Sequence, residues 1–301
     1  MTERVRILKG LIVYFSQSGT TAKVAESIAT GIRRQGYQVD VHSIQEKQQS
    51  NLSGYDLVGI GSPVYYYGPP FIVTDYLNNL PDLGNLPVFT FVLHGTYPFD
   101  TGKLIQQILT RKGAQAVDYF HCFGADFYLG YLKEGYLFSP DHPTPAELSS
   151  AEDFGGQIVE RVAGNNYSLT EECQPPKLVY RLERFLQNRW LSEQIWSRFF
   201  WVDKKDCSLC GLCMKICPCS NISGGKDGYP VWGRHCLMCL MCQLKCPEDA
   251  VTTPISWPLV RPFAIYNVRR ASQDPSIDHV RVVHSKGNTR RVDALTEDIV
   301  L

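Results

Sequence analysis

Two cysteine runs of identical spacing constrain this chain more than any other feature. Cys207-x2-Cys210-x2-Cys213-x3-Cys217-Pro218 is followed by Cys236-x2-Cys239-x2-Cys242-x3-Cys246-Pro247. Nine of the eleven cysteines fall between Cys207 and Cys246, and only Cys122 and Cys173 lie elsewhere. The x2 spacings let three thiolates of one tight turn grip three corners of an iron–sulfur cubane. The fourth cysteine then leads away on a short helix, and the proline keeps the chain from folding back. In paired runs of this kind the fourth cysteine ligates the other run's cluster. The expectation is one [4Fe–4S] cluster on Cys207, Cys210, Cys213 and Cys246, and a second on Cys236, Cys239, Cys242 and Cys217. Thiolates also suit zinc, but zinc sites usually carry two C-x2-C pairs without further cysteines in this register. Cys219 has no place in the pattern and reads as a small packed residue.

The rest of the chain sets the context. At 301 residues it suits two domains, each with its own core. A disulfide-stapled secreted domain conflicts with the long cysteine-poor remainder and with a start, Met1-Thr2-Glu3-Arg4-Val5, that lacks an apolar signal core. A reducing cytoplasm is the expected compartment. The formal net charge of zero argues against nonspecific nucleic-acid binding. No apolar run approaches the ~20 residues of a transmembrane helix.

Residues 1–165 alternate between short apolar runs and helix-like stretches, the pattern of a parallel α/β sheet. Leu11 to Phe15 is a continuous apolar run, as in a strand buried on both faces. Ala22 to Arg34 follows at helical period, with Gly36 as a stop. Further strands are expected at Tyr37–Val41, Leu57–Ile60, Val88–Leu93 and Val117–Phe123, and helices at Ile72–Leu80, Thr101–Lys112 and Pro145–Val162. Five strands with interleaved helices make a small doubly wound sheet. Residues 166–201 are expected to hold a linker and one amphipathic helix, Leu178 to Trp201, packing the domains together. A membrane-surface helix is the sharper alternative, weakened by the near balance of positive and negative residues. Residues 202–255 form the cysteine domain, and 256–301 a tail with strand-like residues at Val280 to Val283 and no assignable motif.

The first strand ends in Ser16-Gln17-Ser18-Gly19-Thr20-Thr21, directly before a helix. Hydroxyls and free N–H groups at a helix N-terminus make a ready phosphate site; an ordinary Ser/Thr-rich N-cap is the plainer reading of the same residues. No lysine follows the glycine as a P-loop requires, and no Gly-x-Gly-x-x-Gly fingerprint is present. After the third strand stands Gly61-Ser62-Pro63-Val64-Tyr65-Tyr66-Tyr67-Gly68, and after the fourth His94-Gly95-Thr96-Tyr97. In this fold class, loops at the carboxyl ends of the strands converge on the ligand. Each of these aromatic residues is also explicable as packing, and His94 as a satisfied polar residue beside its strand.

Ile12-Val13-Tyr14-Phe15-Ser16 with Gly19, Thr21, Ala25 and Ile28 resembles the flavodoxin signature, and Ser62-Pro63-Val64-Tyr65-Tyr66 resembles the flavin-flanking loop of flavodoxin-like FMN proteins. Residues 202 to 253 resemble bacterial two-cluster ferredoxins, giving a small α+β domain. Together, residues 8 to 253 resemble a family of anaerobe proteins that fuse a flavodoxin-like domain to a two-cluster ferredoxin; the Gly228-Tyr229-Pro230-Val231-Trp232-Gly233 stretch is characteristic of it. The resemblance implies FMN, held by Ser16 to Thr21, Pro63 to Gly68 and His94 to Tyr97, and electron transfer with a redox protein partner or low-potential donor. A homodimer is compatible with it. Lys215, Lys226, Arg234 and Lys245 balance Asp227, Glu248 and Asp249 in the cysteine segment, which suits a fixed internal partner. Two other functions remain open on the sequence: an FMN-dependent reductase of a small molecule, with the aromatic segment Phe127 to Phe138 shaping its pocket, and a non-redox interaction module.

Overall fold

The computed structural model describes residues 8–46, 51–165 and 178–292. The chain forms two compact units. One holds the described residues up to Ala125 and those from Asp141 to Asn165; the other holds Asp126–Pro140 and the described residues from Leu178 onward.

The first unit is built on Lys9–Tyr14 (β1), Thr20–Arg34 (α1), Gln38–Ser43 (β2), Leu57–Pro63 (β3), Phe71–Asn78 (α2), Pro87–His94 (β4), Thr101–Arg111 (α3) and Gln115–Phe123 (β5). The chain then passes through Leu129–Lys133 (α4) and Tyr136–Phe138 (β6), which belong to the other unit, and returns with Pro145–Gly164 (α5). The five strands pair in parallel in the order β2-β1-β3-β4-β5. This is the expected five-stranded doubly wound sheet, with its switch point between β1 and β3. Leu11, Ile12, Val13 and Phe15 are wholly buried, as helices on both faces require. The strand expected to end at Ile60 continues to Pro63, because β4 goes on pairing beside it, Ser62 opposite Val92 and Pro63 opposite Leu93.

Helices α1 and α5 share one face of the sheet, with Ile28, Ile32, Phe154 and Ile158 closing over Phe89 and Phe91. Their backbones touch. A Cβ on Gly31 would lie 1.9 Å from the Glu152 carbonyl oxygen, and one on Gly155 would lie 2.2 Å from that of Ile28. Glycine at both positions sets the helix separation. Helix α5 starts in a capping box: Glu147 N–H donates to the Thr144 hydroxyl at 3.2 Å and Thr144 N–H to the Glu147 carboxylate at 2.6 Å. The linker expected after Asn165 lies outside the described residues.

In the second unit follow Leu178–Leu186 (α6), Arg189–Gln194 (α7), a 3₁₀ turn at Trp196–Phe199, Trp201–Val202 (β7), Leu212–Lys215 (α8), Ile222–Gly224 (β8), Pro230–Trp232 (β9), Met241–Leu244 (α9), Val251–Thr252 (β10), Arg261–Ser272 (α10), His279–Ser285 (β11) and Asn288–Arg291 (β12). The single helix expected from Leu178 to Trp201 is therefore broken into three pieces. Asn188 makes the first break. Its amide nitrogen donates to the Phe185 carbonyl at 2.6 Å and its amide oxygen accepts from Leu191 N–H at 3.0 Å, ending one helix and capping the next. The Trp196 indole N–H takes the freed Leu186 carbonyl at 2.6 Å.

Strands β7 and β10 pair antiparallel, Val202 opposite Val251, and so close the ends of the cysteine segment against each other. The β8–β9 hairpin separates the two runs. The C-terminal residues are not an appendage: β11 pairs with β12 on one side and with β6 on the other, Leu137 opposite Val280. Arg261 reaches Glu134 at 2.8 Å and Lys133 the Ser256 hydroxyl at 2.6 Å, tying α4 into this unit. Among the described residues no helix is long and apolar enough to cross a membrane.

Candidate functional site

In the first unit three loops meet at the carboxyl edge of the sheet. The loop after β1 enters α1 at Gly19, whose φ of 84° no other residue adopts without strain. No side chain caps this helix start. The early N–H groups of α1 therefore keep their capacity to bind an anion. Around them stand the Ser18 and Thr20 hydroxyls, 3.0 Å apart, and the buried Thr21. The Ser16 hydroxyl oxygen is buried and has no hydrogen-bond partner among the described residues. A buried hydroxyl without a partner costs about 1–3 kcal/mol, and an anion cradled by the helix start would remove that cost.

The loop after β3 makes a reverse turn in which Tyr65 N–H donates to the Gly68 carbonyl at 2.8 Å and Gly68 N–H returns to that of Tyr65 at 3.0 Å. Its central residues, Tyr66 at φ 46° and Tyr67 at φ 68°, occupy a left-handed conformation that Asn and Gly ordinarily supply. The strain holds two aromatic rings at the strand ends. Tyr65 donates its hydroxyl to Gln17 of the first loop, and its ring meets Phe15 edge-on at 6.1 Å. Tyr67 meets Phe99 at 4.8 Å, and Phe99 meets Tyr97 at 5.8 Å. Val64 N–H donates to the Leu93 carbonyl at 2.9 Å. The three loops read from the sequence are thus fastened to one another through Gln17, Tyr65, Tyr67 and Tyr97. Phe99, with φ 48°, is the aromatic that sequence reading passed over.

His94 ends β4 and is 5% exposed. Its Nε2 lies 3.1 Å from Nδ1 of His121, and its ring packs on Phe123 at 4.7 Å. Burial, and after it the neighbouring His121, push His94 down to about 3, so the ring is neutral at ordinary pH. The imidazole thus faces β5. Beneath it Glu147 accepts from Phe123 N–H at 3.1 Å and pairs with His142 at 2.7 Å.

In the second unit the two cysteine runs adopt one backbone pattern twice. Leu209 and Gly211 in the first run, and Met238 and Leu240 in the second, all have φ between 57° and 71°. Three of these four are not glycine, at a cost of about 1–2 kcal/mol each. The same left-handed positions thus recur at equivalent places in both runs. Cys207, Cys210 and Cys213 line one cavity together with Cys246, which arrives from the other run. Cys213 has Cys210, Cys207 and Cys246 as electrostatic neighbours, while Cys236 has Cys239, Cys217 and Cys219. Cys242, the most buried of the nine, neighbours Cys239, Cys236 and, from the first run, Cys213. Cys219 thus stands with the second set.

Backbone donors point at sulfur in both runs, Asn221 N–H at Cys217 Sγ (3.3 Å) and Met238 N–H at Cys236 Sγ (3.4 Å). Burial pushes Cys236 up to about 12 and Cys242 well above its ordinary value, with neighbouring cysteines adding to both. Among the described residues no group of three or more His, Cys, Asp or Glu side chains stands ready to hold a single metal ion. A cubane asks for a different arrangement, one thiolate at each of four irons.

Residues 11–132 match the family model described as "Flavodoxin domain". An uncharacterized protein of Methanocaldococcus jannaschii is 26% identical over 157 residues, covering 51% of this chain and 99% of its own length. Among solved structures, a flavodoxin from the domain Archaea is 20% identical, covers 52% of this chain and 99% of its own, and superposes with a TM-score of 0.42. Oxidised flavodoxin 2 from Bacillus cereus is 19% identical, with 51% and 99% covered and a TM-score of 0.42. With its β2-β1-β3-β4-β5 parallel sheet and its family match, the N-terminal part of this chain is a flavodoxin-like domain.

Proposed function

We propose that the chain is an iron–sulfur flavoprotein that carries electrons between two [4Fe–4S] clusters and FMN and serves a redox protein in the cytoplasm of an anaerobe. The observation that carries this reading is the meeting of Cys246 with Cys207, Cys210 and Cys213 around one cavity, between loops of matching backbone strain. On the flavodoxin-like side, Ser16, Ser18, Thr20, Thr21 and the first N–H groups of α1 would hold the phosphate of FMN without adding charge. Pro63 to Gly68 and Gly95 to Tyr97 would flank its ring. When bound, FMN exchanges one or two electrons and each cluster one, which joins one-electron carriers to a partner of either kind. The protein's share would be to fix the cofactors, to direct N–H groups at the cysteine sulfurs and to hold His94 neutral at the end of β4. A small-molecule pocket shaped by Phe127 to Phe138 receives no support, because Tyr128, Tyr131 and Phe138 pack on one another within the C-terminal unit.

Anaerobic purification with metal, sulfide and flavin analysis tests the proposal. The expected content is about eight iron, about eight acid-labile sulfide and one FMN per chain. Stoichiometric zinc, or about four iron, overturns the cluster assignment. Gly19→Asp should yield flavin-free protein with iron unchanged, since the carboxylate repels the phosphate and the left-handed backbone disfavours a side chain. Retention of flavin by that variant overturns the phosphate site.

A further inference from the structure

Residues 178–201 carry four arginines and two glutamates, and the structure decides which of them meet water. Of the residues exposed in this stretch, six are apolar or aromatic: Leu178, Leu182, Phe185, Trp190, Phe199 and Trp201. The others are Arg181, Arg189 and Arg198. Neither acid is among them. Glu183 is buried and accepts from Asn267 at 2.9 Å, while Glu193 is half-buried and accepts from Arg189 at 2.9 Å. Helix α6 is inverted relative to an ordinary surface helix. It buries Tyr180 and Glu183 against α10 and turns Leu178 (80% exposed), Leu182 and Phe185 (64% exposed), at i, i+4 and i+7, outward. Trp190, also 64% exposed, continues the apolar surface beyond the Asn188 break.

From this arrangement we infer that residues 178–201 are an interfacial anchor seating the C-terminal unit on an anionic phospholipid bilayer. Exposed leucine and phenylalanine enter the acyl boundary, tryptophans sit at headgroup level, and Arg181 and Arg198 meet lipid phosphates. A second copy of the chain is a poorer occupant. A two-fold contact lays a patch on itself, which would gather Arg181 and Arg198 of both copies at one interface with no exposed acid from this stretch to balance them. A bilayer supplies the missing negative charge, and the short broken helices suit a segment that lies on a membrane and does not span it. The inference concerns the surface of one unit and does not rest on the cofactor assignment.

The full-length holo-protein is mixed with vesicles of phosphatidylcholine, alone or with phosphatidylglycerol, and sedimented. Binding is expected to the anionic vesicles, with a blue shift of tryptophan emission, and to fall steeply with added salt. The exposed substitutions Phe185→Glu with Trp190→Glu should abolish it. Arg181→Gln with Arg198→Gln should weaken it about tenfold or more. Circular dichroism and iron content should match wild type in both variants. Absence of binding to anionic vesicles overturns the inference, as does equal binding to neutral ones. So does a dimer in sedimentation equilibrium that Phe185→Glu converts to monomer, since another copy would then own the surface.

Discussion

Cys246 ends the second run in sequence but lines the cavity of the first. Its replacement separates crossed ligation from ligation within each run. Cys246→Ala should remove one cluster, lower iron from about eight to about four per chain, and leave the set around Cys236, Cys239 and Cys242 with its electron paramagnetic resonance signal. Loss of the other signal would mean that each run serves itself. His94 makes a second residue-level prediction. Its folded value of about 3 lies below the ordinary 6.5 of an unfolded histidine, so the unfolded chain binds the extra proton between these values. Its contribution is present above pH 6.5 and is lost as pH falls toward 3. The loss reaches about 2 kcal/mol by pH 5. His94→Asn should flatten that part of the dependence, read as a smaller shift in denaturant midpoint between pH 7.5 and pH 5. An unchanged slope would mean that the histidine is not buried neutral.

At the scale of elements, α1 and α5 pack closely enough that their backbones nearly touch at Gly31 and Gly155. A methyl group there cannot be absorbed by rotating a side chain, because the obstacle is a carbonyl. Alanine gains about 1 kcal/mol of helix propensity over glycine, and overpacking costs about 1–3 kcal/mol or more. With a carbonyl 2.2 Å from the new Cβ, the cost should win. Gly155→Ala should lower stability by about 1–3 kcal/mol in denaturant melts followed by circular dichroism. Gly156→Ala is the control: it meets only the flexible Gln35 side chain at 3.4 Å and should be neutral or mildly stabilising. The break after α6 is the other lesson at this scale. Apolar residues recur at helical spacing through Leu178, Leu182, Phe185 and Trp190, and periodicity alone continues the helix. Asn188 stops it with two hydrogen bonds of its side chain, a local competition that hydrophobic spacing does not register.

For the whole molecule, the proposal of clusters and flavin in one chain makes a kinetic prediction. A tethered pair has a fixed effective concentration. Reducing the clusters anaerobically with a one-electron donor should then reduce the flavin at a rate independent of protein concentration. A rate rising linearly with concentration would mean that units of different chains meet by diffusion. The parallel sheet of the first unit was legible in the sequence because Leu11–Phe15 and Val88–Leu93 are apolar runs separated by helical periods, a pattern that burial on both faces imposes locally. The three loops at its edge were legible for a similar reason: a glycine before a helix and aromatics after strands act within a few residues of themselves. The cysteine spacing is legible in the same local way, as two runs of one pattern. Tertiary structure decided what depends on partners distant in the chain. Strand β6 leaves its neighbours to pair with β11, more than a hundred residues on, because an edge strand bonds to whatever backbone packing brings beside it. The same packing turns Glu183 inward to Asn267 and leaves Leu178, Leu182 and Phe185 facing out. A sequence states which residues are apolar and which are charged; which of them meet water is settled only when the rest of the chain has taken its place.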